Sequence, residues 1–174
     1  MNESHKVSGL PNACYELLLM DVEILRKVAL FEGLTSFQLK KLGGALSLVE
    51  FPGSKHIFKE GDQGTSMFII AEGKVRISKM VPGIGEEALA ILERGQYFGE
   101  MSLIEDGPRS ADAIAHSSCK LYELQRERLD QVMFTDKELA YVLLWTFVRT
   151  LSARLRETND KIRAFFALSS FGPK

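Results

Sequence analysis

The sequence has little of what several common classes of protein require. Only two of its 174 residues are cysteine, Cys14 and Cys119. A disulfide framework is therefore excluded, and we expect reduced thiols in a cytoplasm. No hydrophobic run reaches the length of a membrane span, and the start lacks the basic and apolar regions of a secretion signal. The formal net charge of −1 argues against a general nucleic-acid binder, which carries a strong basic excess.

Motifs of enzymes are lacking as well. The three histidines, His5, His56 and His116, lie far apart and do not show the spacing of a metal-binding pair. There is no Walker A loop, nucleophile elbow or Cys-x-x-Cys pair. The carboxylates show no arrangement that indicates acid–base chemistry. We therefore predict no metal, no cofactor and no enzyme activity.

What is present fits one globular domain. Hydrophobic residues make up 45% and charged residues 26% of the chain, which is ordinary for a soluble domain of this length. We divide it into a flexible tail (1–12), a helical segment (13–44), a β-rich barrel (45–125), C-terminal helices (126–168) and a second flexible tail (169–174).

The central segment has the pattern of β-strands. Short runs rich in valine, isoleucine and phenylalanine alternate with glycine-bearing turns, which indicates about eight strands in an antiparallel sandwich or barrel. Alternation in the third run predicts a strand with one wet face. The assigned runs are Leu46–Phe51, Ser66–Ile70, Lys74–Met80, Ala88–Leu92, Ala113–Ala115 and Lys120–Leu124.

Helical patterns precede this segment. Hydrophobic residues recur at helical spacing from Tyr15 to Val28, which predicts a helix that ends near Ala29. Thr35 and Gln38 form a capping-box signal for a short helix that ends at Gly43-Gly44.

Helical patterns also follow the strands. Arg126–Val132 is predicted to be a short helix, and Thr135 with Glu138 gives a capping-box signal for a helix that runs to about Phe166. One hydrophobic stripe, formed by Leu139, Leu143 and Phe147, is predicted to pack on the barrel. A second stripe, which we call the seam, has the heptad spacing of a coiled coil. The seam consists of Leu144, Val148, Leu151, Leu155, Thr158, Ile162 and Phe165.

The seam leaves two alternatives. One small barrel cannot cover both stripes of so long a helix, so we predict a homodimer through the seam. The alternative is that the seam packs against the N-terminal helix of the same chain.

Residues 98–111 form the most distinctive stretch. Gly99 ends a strand-like run, and glycine permits positive φ and close approach to the backbone. Glu100–Ile104 is typical of a single helical turn, whose free N–H groups make an anion site. Arg109 offers a planar, permanently charged fork that suits a phosphate. Together these groups can hold a ligand with a hydroxylated sugar and one negative phosphate. The alternative is a surface loop in which Glu100 and Arg109 pair with each other or with solvent.

This stretch, Phe98-Gly99-Glu100-Met101-Ser102 continued by Pro108-Arg109-Ser110-Ala111, closely resembles the phosphate-binding cassette of the cyclic nucleotide-binding domain family. Similar signatures occur at Phe51-Pro52-Gly53, at Phe58-Lys59-Glu60-Gly61-Asp62 and at Glu72-Gly73-Lys74-Val75, and the resemblance runs from about Ile24 to the last helix. Such domains occur in catabolite activator proteins and in regulatory subunits of protein kinase A. The resemblance implies a mainly β fold with flanking helices, an eight-stranded double-stranded β-helix (jelly-roll) barrel.

The resemblance also implies roles for the residues of the cassette. Glu100, with Gly99 beside it, would accept the ribose 2′-hydroxyl, and Arg109 would bind the phosphate. The hydroxyl of Ser110 can reach the phosphate or a guanine amino group, so the choice between cAMP and cGMP stays open, with cAMP favoured. The predicted phosphate site comprises Gly99, Glu100, Met101, Ser102, Arg109, Ser110 and Ala111.

On the long helix, residues 154–161 resemble the helix of catabolite activator proteins in which a Thr-Ser pair contacts adenine from both subunits. Thr158 matches the threonine, whereas Asn159 stands at the serine position. Together with Arg154 and Ser110 they are the predicted base contacts. The alternative is that Thr158 only sets the register of the seam.

These inferences predict a cytoplasmic cyclic nucleotide receptor. Ligand binding would draw the cassette inward, close the long helix and change the dimer or an unidentified effector protein. The regulator relatives continue into a helix-turn-helix, whereas this sequence ends at Lys174, so we expect no DNA-binding element. Two alternatives remain, a nucleotide-free dimerisation scaffold of the same fold and a cupin-like metalloenzyme.

Overall fold

The computed structural model of the protein describes residues 22–169, and the side chains of residues 165, 168 and 169 lie outside that description. The predicted N-terminal tail, most of the C-terminal tail and the start of the first helix, including Tyr15, also lie outside it. In chain order the elements are α1 (22–27), a 3-10 turn (Ala29–Phe31), α2 (Ser36–Gly43), β1 (Leu46–Phe51), β2 (His56–Phe58), β3 (Ser66–Glu72), β4 (Val75–Val81), β5 (Gly85–Leu92), β6 (Tyr97–Phe98), a second 3-10 turn (Glu100–Leu103), β7 (Asp112–Ala115), β8 (Cys119–Gln125), α3 (Arg126–Thr135) and α4 (Lys137–Ser169).

The strands form two antiparallel sheets of four, in the orders β1-β8-β3-β6 and β2-β7-β4-β5. Side chains between the sheets, among them Phe68, Ile70, Phe98 and Leu121, form one hydrophobic core. The predicted eight-stranded sandwich with flanking helices is therefore confirmed. Strands β2 and β6 were not among the assigned runs, since three and two residues are too few to show a period.

The prediction of a regular strand with one wet face at β4 is wrong. Ile77 pairs with Ala90 but the next residue, Ser78, pairs with Ala88, so Leu89 of β5 is an extra residue. The burial of the β4 side chains does not alternate, because Ser78, on the face predicted to be wet, is fully buried, while Arg76 and Ile77 are both half-buried. The β-bulge of β5 lies opposite this point.

A second hydrophobic core joins the helices to the sheet that contains β3. The stripe of Leu139, Leu143 and Phe147 is buried there, as predicted, together with residues of α1, α2 and β3. This core fixes the first half of α4 beside the barrel. Beyond it every described side chain from Leu151 to residue 167 is exposed, although Arg154 still contacts the barrel.

The two capping-box predictions have different outcomes. At α2 the Thr35 side chain accepts the Gln38 N–H and the Gln38 side chain accepts the Thr35 N–H, so the capping box is confirmed. At α4 the prediction is wrong, because the Thr135 hydroxyl donates to the carbonyls of residues 131 and 132 and ends α3. The cap of α4 is Asp136, whose carboxylate accepts the Leu139 N–H at 3.0 Å. A carboxylate at the N-cap satisfies a free amide and faces the positive end of the helix dipole.

The seam is unpacked in the part of the chain that the structure describes. Its leucine, valine and isoleucine side chains are between 41% and 63% exposed, so the described part of the N-terminal helix does not cover them. The side chain of Phe165 lies outside the description. None of the helices within residues 22–169 is both long and apolar enough to cross a membrane.

Candidate ligand-binding site

The cassette begins where β6 ends. Gly99 has a φ of 75°, in the left-handed region, and starts the 3-10 turn Glu100–Leu103. A Cβ atom on Gly99 would lie 2.6 Å from Nη1 of Arg109. Glycine is therefore required here for both the backbone conformation and the approach of the arginine.

Arg109 is a buried cation with free hydrogen-bonding capacity. It is 7% exposed, and Nη1 donates to the Gly99 carbonyl at 3.1 Å and to Ser102 Oγ at 3.0 Å. Its guanidinium lies 4.0 Å from the centre of the Phe58 ring. Nε is buried and has no partner within the described residues. Burial lowers the pKa of Arg109, although the carboxylates of Glu123, Asp62 and Glu100 act in the opposite direction. Because a buried charge with an unsatisfied donor is costly, an anion is the complement of this group.

A second loop, at residues 61–64, holds the main chain of Arg109 and contacts its side chain. The Arg109 N–H donates to the Asp62 carbonyl at 2.8 Å, and the Gly61 N–H donates to the Arg109 carbonyl at 2.9 Å. A Cβ atom on Gly64 would lie 2.3 Å from Ser102 Oγ and 2.5 Å from Arg109 Nε. Sequence reasoning missed this contact, because Gly64 looks like any other turn glycine in this glycine-rich segment.

Glu100 pairs with the long helix and not with Arg109, so the surface-loop alternative is wrong. Its carboxylate is 5% exposed and accepts a hydrogen bond from Nη1 of Arg154 in α4. The Arg154 guanidinium also lies 5.7 Å from the centre of the Tyr97 ring. Burial raises the pKa of Tyr97, and the Arg154 charge opposes that shift. One ion pair thus joins the cassette to α4.

These groups line a cavity of about 260 Å³. The seven predicted phosphate-site residues and Arg154 all lie in its wall. Phe98 and Pro108 of the cassette stretch and the adjacent Tyr97 also line it. Sequence reasoning missed the apolar side chains that strands distant in sequence add to the wall, which are Phe58, Ile77, Ala90 and Leu92. The size is near the lower end of small-molecule pockets, which start at about 300 Å³.

Thr158 and Asn159 are not brought to the cavity in the single chain. Both are exposed, and the Thr158 hydroxyl donates to the Arg154 carbonyl at 2.9 Å within the helix. Their role in binding a base stays a prediction that depends on a second chain.

Within residues 22–169 no three His, Cys, Asp or Glu side chains lie close enough together to hold a metal ion. The fold and cavity instead define a binding domain for a small ligand. Its buried guanidinium suits an anionic group and its buried carboxylate suits a hydroxyl group.

Comparison with known proteins identifies the family. The family model described as a cyclic nucleotide-binding domain matches residues 48–136. The CRP-like cAMP-activated global transcriptional regulator of Mycobacterium tuberculosis is 31% identical over 140 residues, 80% of this chain and 61% of the regulator. Human cGMP-dependent protein kinase 2 is 28% identical over 170 residues, 84% of this chain and 22% of the kinase.

Solved structures agree. The N-terminal domain of a transcriptional regulator from Streptomyces coelicolor A3(2) is 33% identical, has a TM-score of 0.71, and is matched over 80% of this chain and 94% of that domain. The chain belongs to the cyclic nucleotide-binding domain family, as its cassette predicted. It spans about three fifths of the mycobacterial regulator and about a fifth of the kinase.

Proposed function

We propose that this domain is a sensor that binds cAMP in preference to cGMP, and that it regulates other molecules without being an enzyme. The observation that carries the proposal is the buried Arg109, whose Nε lacks a partner, in the same cavity as the buried Glu100. The cyclic phosphate would bind Arg109 and the amides of the 3-10 turn. Glu100 would accept the ribose 2′-hydroxyl.

The preference for cAMP is supported by the chemistry of the wall. Apart from Glu100, the described lining holds no carboxylate or side-chain amide that could accept the N–H groups of guanine. The cAMP-activated regulator of M. tuberculosis, at 31% identity, points the same way.

The signal is proposed to leave the site through α4. A ribose hydroxyl that donates to Glu100 would share the buried carboxylate with Arg154, so ligand binding would change the surroundings of the ion pair that holds the helix. A ligand shifts a conformational equilibrium only through such a differential contact. The exposed seam would carry the change to a second copy of the chain, and from there to an effector protein in the cytoplasm.

Calorimetric titration with cAMP, cGMP and 2′-deoxy-cAMP tests the proposal. We expect cAMP to bind more tightly than cGMP and than the deoxy analogue. Glu100→Gln should reduce the discrimination against the deoxy analogue, because an amide is a weaker acceptor than a carboxylate. Glu105→Gln, an exposed neighbour in the same loop, is the matched control. Absence of binding by any cyclic nucleotide would leave the nucleotide-free scaffold as the function.

A further inference from the structure

We infer that Arg126 is a positioning residue of the ligand site, which fastens the phosphate-binding cassette to the first turn of α3. The inference rests on the proposed function and adds a second route from the ligand to the C-terminal helices. Arg126 does not line the cavity and acts through Ser102 and Arg109, which do.

The guanidinium of Arg126 makes a group of contacts with the end of the cassette. Nε donates to the Ser102 carbonyl at 2.9 Å. The Nη atoms donate to the carbonyls of Ser102 and Glu105 and to the carboxylate of Asp106. Carbonyls at the end of a helical turn lack partners within it, and the arginine supplies them. The side chain of Arg126 is 21% exposed, and its two bonds to the Ser102 carbonyl are partly shielded from water, whereas Asp106 is 95% exposed and its ion pair with Arg126 is solvated.

Ser102 connects this group to the phosphate site. Its hydroxyl accepts from Arg109 at 3.0 Å, while its carbonyl accepts from Arg126 at 2.9 Å. One residue of the cassette is thus held from opposite sides by the proposed phosphate-binding arginine and by the first residue of α3. A ligand that shifts the main chain of Ser102 must move or break the bonds to Arg126. Because α3 packs on α4, the displacement reaches the long helix without passing through Arg154.

Arg128 provides a matched control on the same helix. Its Nη1 donates to Ser47 Oγ at 2.9 Å and to the Ala45 carbonyl at 3.4 Å, which belong to the start of the barrel and not to the cassette. Arg128→Ala therefore removes an arginine and its bonds to the barrel from α3 and leaves the cassette untouched.

The experiment compares wild type, Arg126→Ala, Arg126→Lys and Arg128→Ala by calorimetric titration with cAMP, thermal unfolding, and hydrogen exchange of α3 with and without cAMP. We expect Arg126→Ala to weaken cAMP binding by about tenfold or more relative to Arg128→Ala, and to lose the ligand-induced change in exchange of α3. Arg126→Lys keeps one donor for the Ser102 carbonyl and should fall between wild type and Arg126→Ala.

The outcomes separate the two hypotheses. If wild type binds neither cAMP nor cGMP, the proposed function is wrong and this inference falls with it. If wild type binds but Arg126→Ala matches Arg128→Ala in affinity and in exchange, only the role of Arg126 is overturned. Should Arg126→Ala fail to fold, Arg126→Lys decides, and wild-type affinity and exchange in that variant would refute the inference.

Discussion

Gly64→Ala is expected to damage the phosphate site and spare the fold. The φ of Gly64 is not in the left-handed region, so alanine suits its backbone. The new Cβ would lie 2.5 Å from Arg109 Nε, whereas ordinary contact begins at 3.4 Å, so the guanidinium must move by about 0.9 Å. The atoms in the way belong to the side chains of Arg109 and Ser102, which can rotate while the main chain stays in place.

The magnitude follows from the hydrogen bonds. Nη1 of Arg109 donates at 3.0 and 3.1 Å, and a shift of that size carries it beyond the usual limit of about 3.2 Å. A hydrogen bond to a charged group contributes about 1.5–3 kcal/mol. A guanidinium displaced in this way would also lose a hydrogen bond to the phosphate of the ligand. The loss of one such bond corresponds to roughly a tenfold to hundredfold weaker affinity. Overpacking that cannot be relieved costs about 1–3 kcal/mol of stability, so this is the largest loss of folding stability that we expect in Gly64→Ala.

The assay is calorimetric titration with cAMP, paired with thermal unfolding. Gly107→Ala is the matched control, because a Cβ there would meet nothing closer than 3.8 Å in the same cassette. We expect Gly107→Ala to bind as wild type does. Wild-type affinity in Gly64→Ala would show that the contact between Gly64 and Arg109 does not position the guanidinium, and the reasoning would be wrong.

Three further predictions concern the ligand, the seam and the cap of α4. Arg109→Ala should weaken cAMP binding more than a hundredfold in a titration, since the ligand's charge would lose its buried partner at a cost of roughly 3–5 kcal/mol; an unchanged affinity would remove Arg109 from the site. Leu151→Glu should convert the proposed dimer into monomers in sedimentation velocity, whereas the control Arg149→Glu should not. A monomeric wild type would exclude the seam as an interface. The Lys41 hydrogen bond and the Leu139 N–H hold the pKa of Asp136 below its ordinary value of 3.8. The stability contributed by this carboxylate is therefore present above pH 3.8 and is lost as the pH falls through the folded-state pKa. Urea unfolding across this range should show a smaller loss of stability for Asp136→Asn than for wild type, and equal losses would contradict the assignment.

The parts of the site that could be predicted from the sequence are those that are close together in it. Gly99, Glu100 and Arg109 lie within one cassette, so their residue types and spacing were enough to predict an anion site there. The six longer strands were predictable for a similar reason, because each glycine-bearing turn and each longer apolar run is a local signal.

The remainder depends on contacts between distant segments. The partner of Glu100 is Arg154, which lies 54 positions further along the chain. The close approach of Gly64 to Arg109 arises only when two loops meet. The bulge at Leu89, opposite Ser78, is a property of the pairing of two strands and not of either strand alone. No periodicity in one segment contains this information.

The exposure of the distal part of α4 has a consequence for the assembly of the protein. From Leu155 to residue 167 each described side chain is exposed, so no described side chain of this distal part is buried against the barrel. An isolated helix shorter than about 12–15 residues is only marginally stable in water. Under the proposed pairing through the seam, ordering of this distal part and association of two chains would be linked in one equilibrium. On dilution, circular dichroism should record a loss of helix at the concentration at which the chains separate, so the abundance of the protein would itself determine how much of its signalling element is formed.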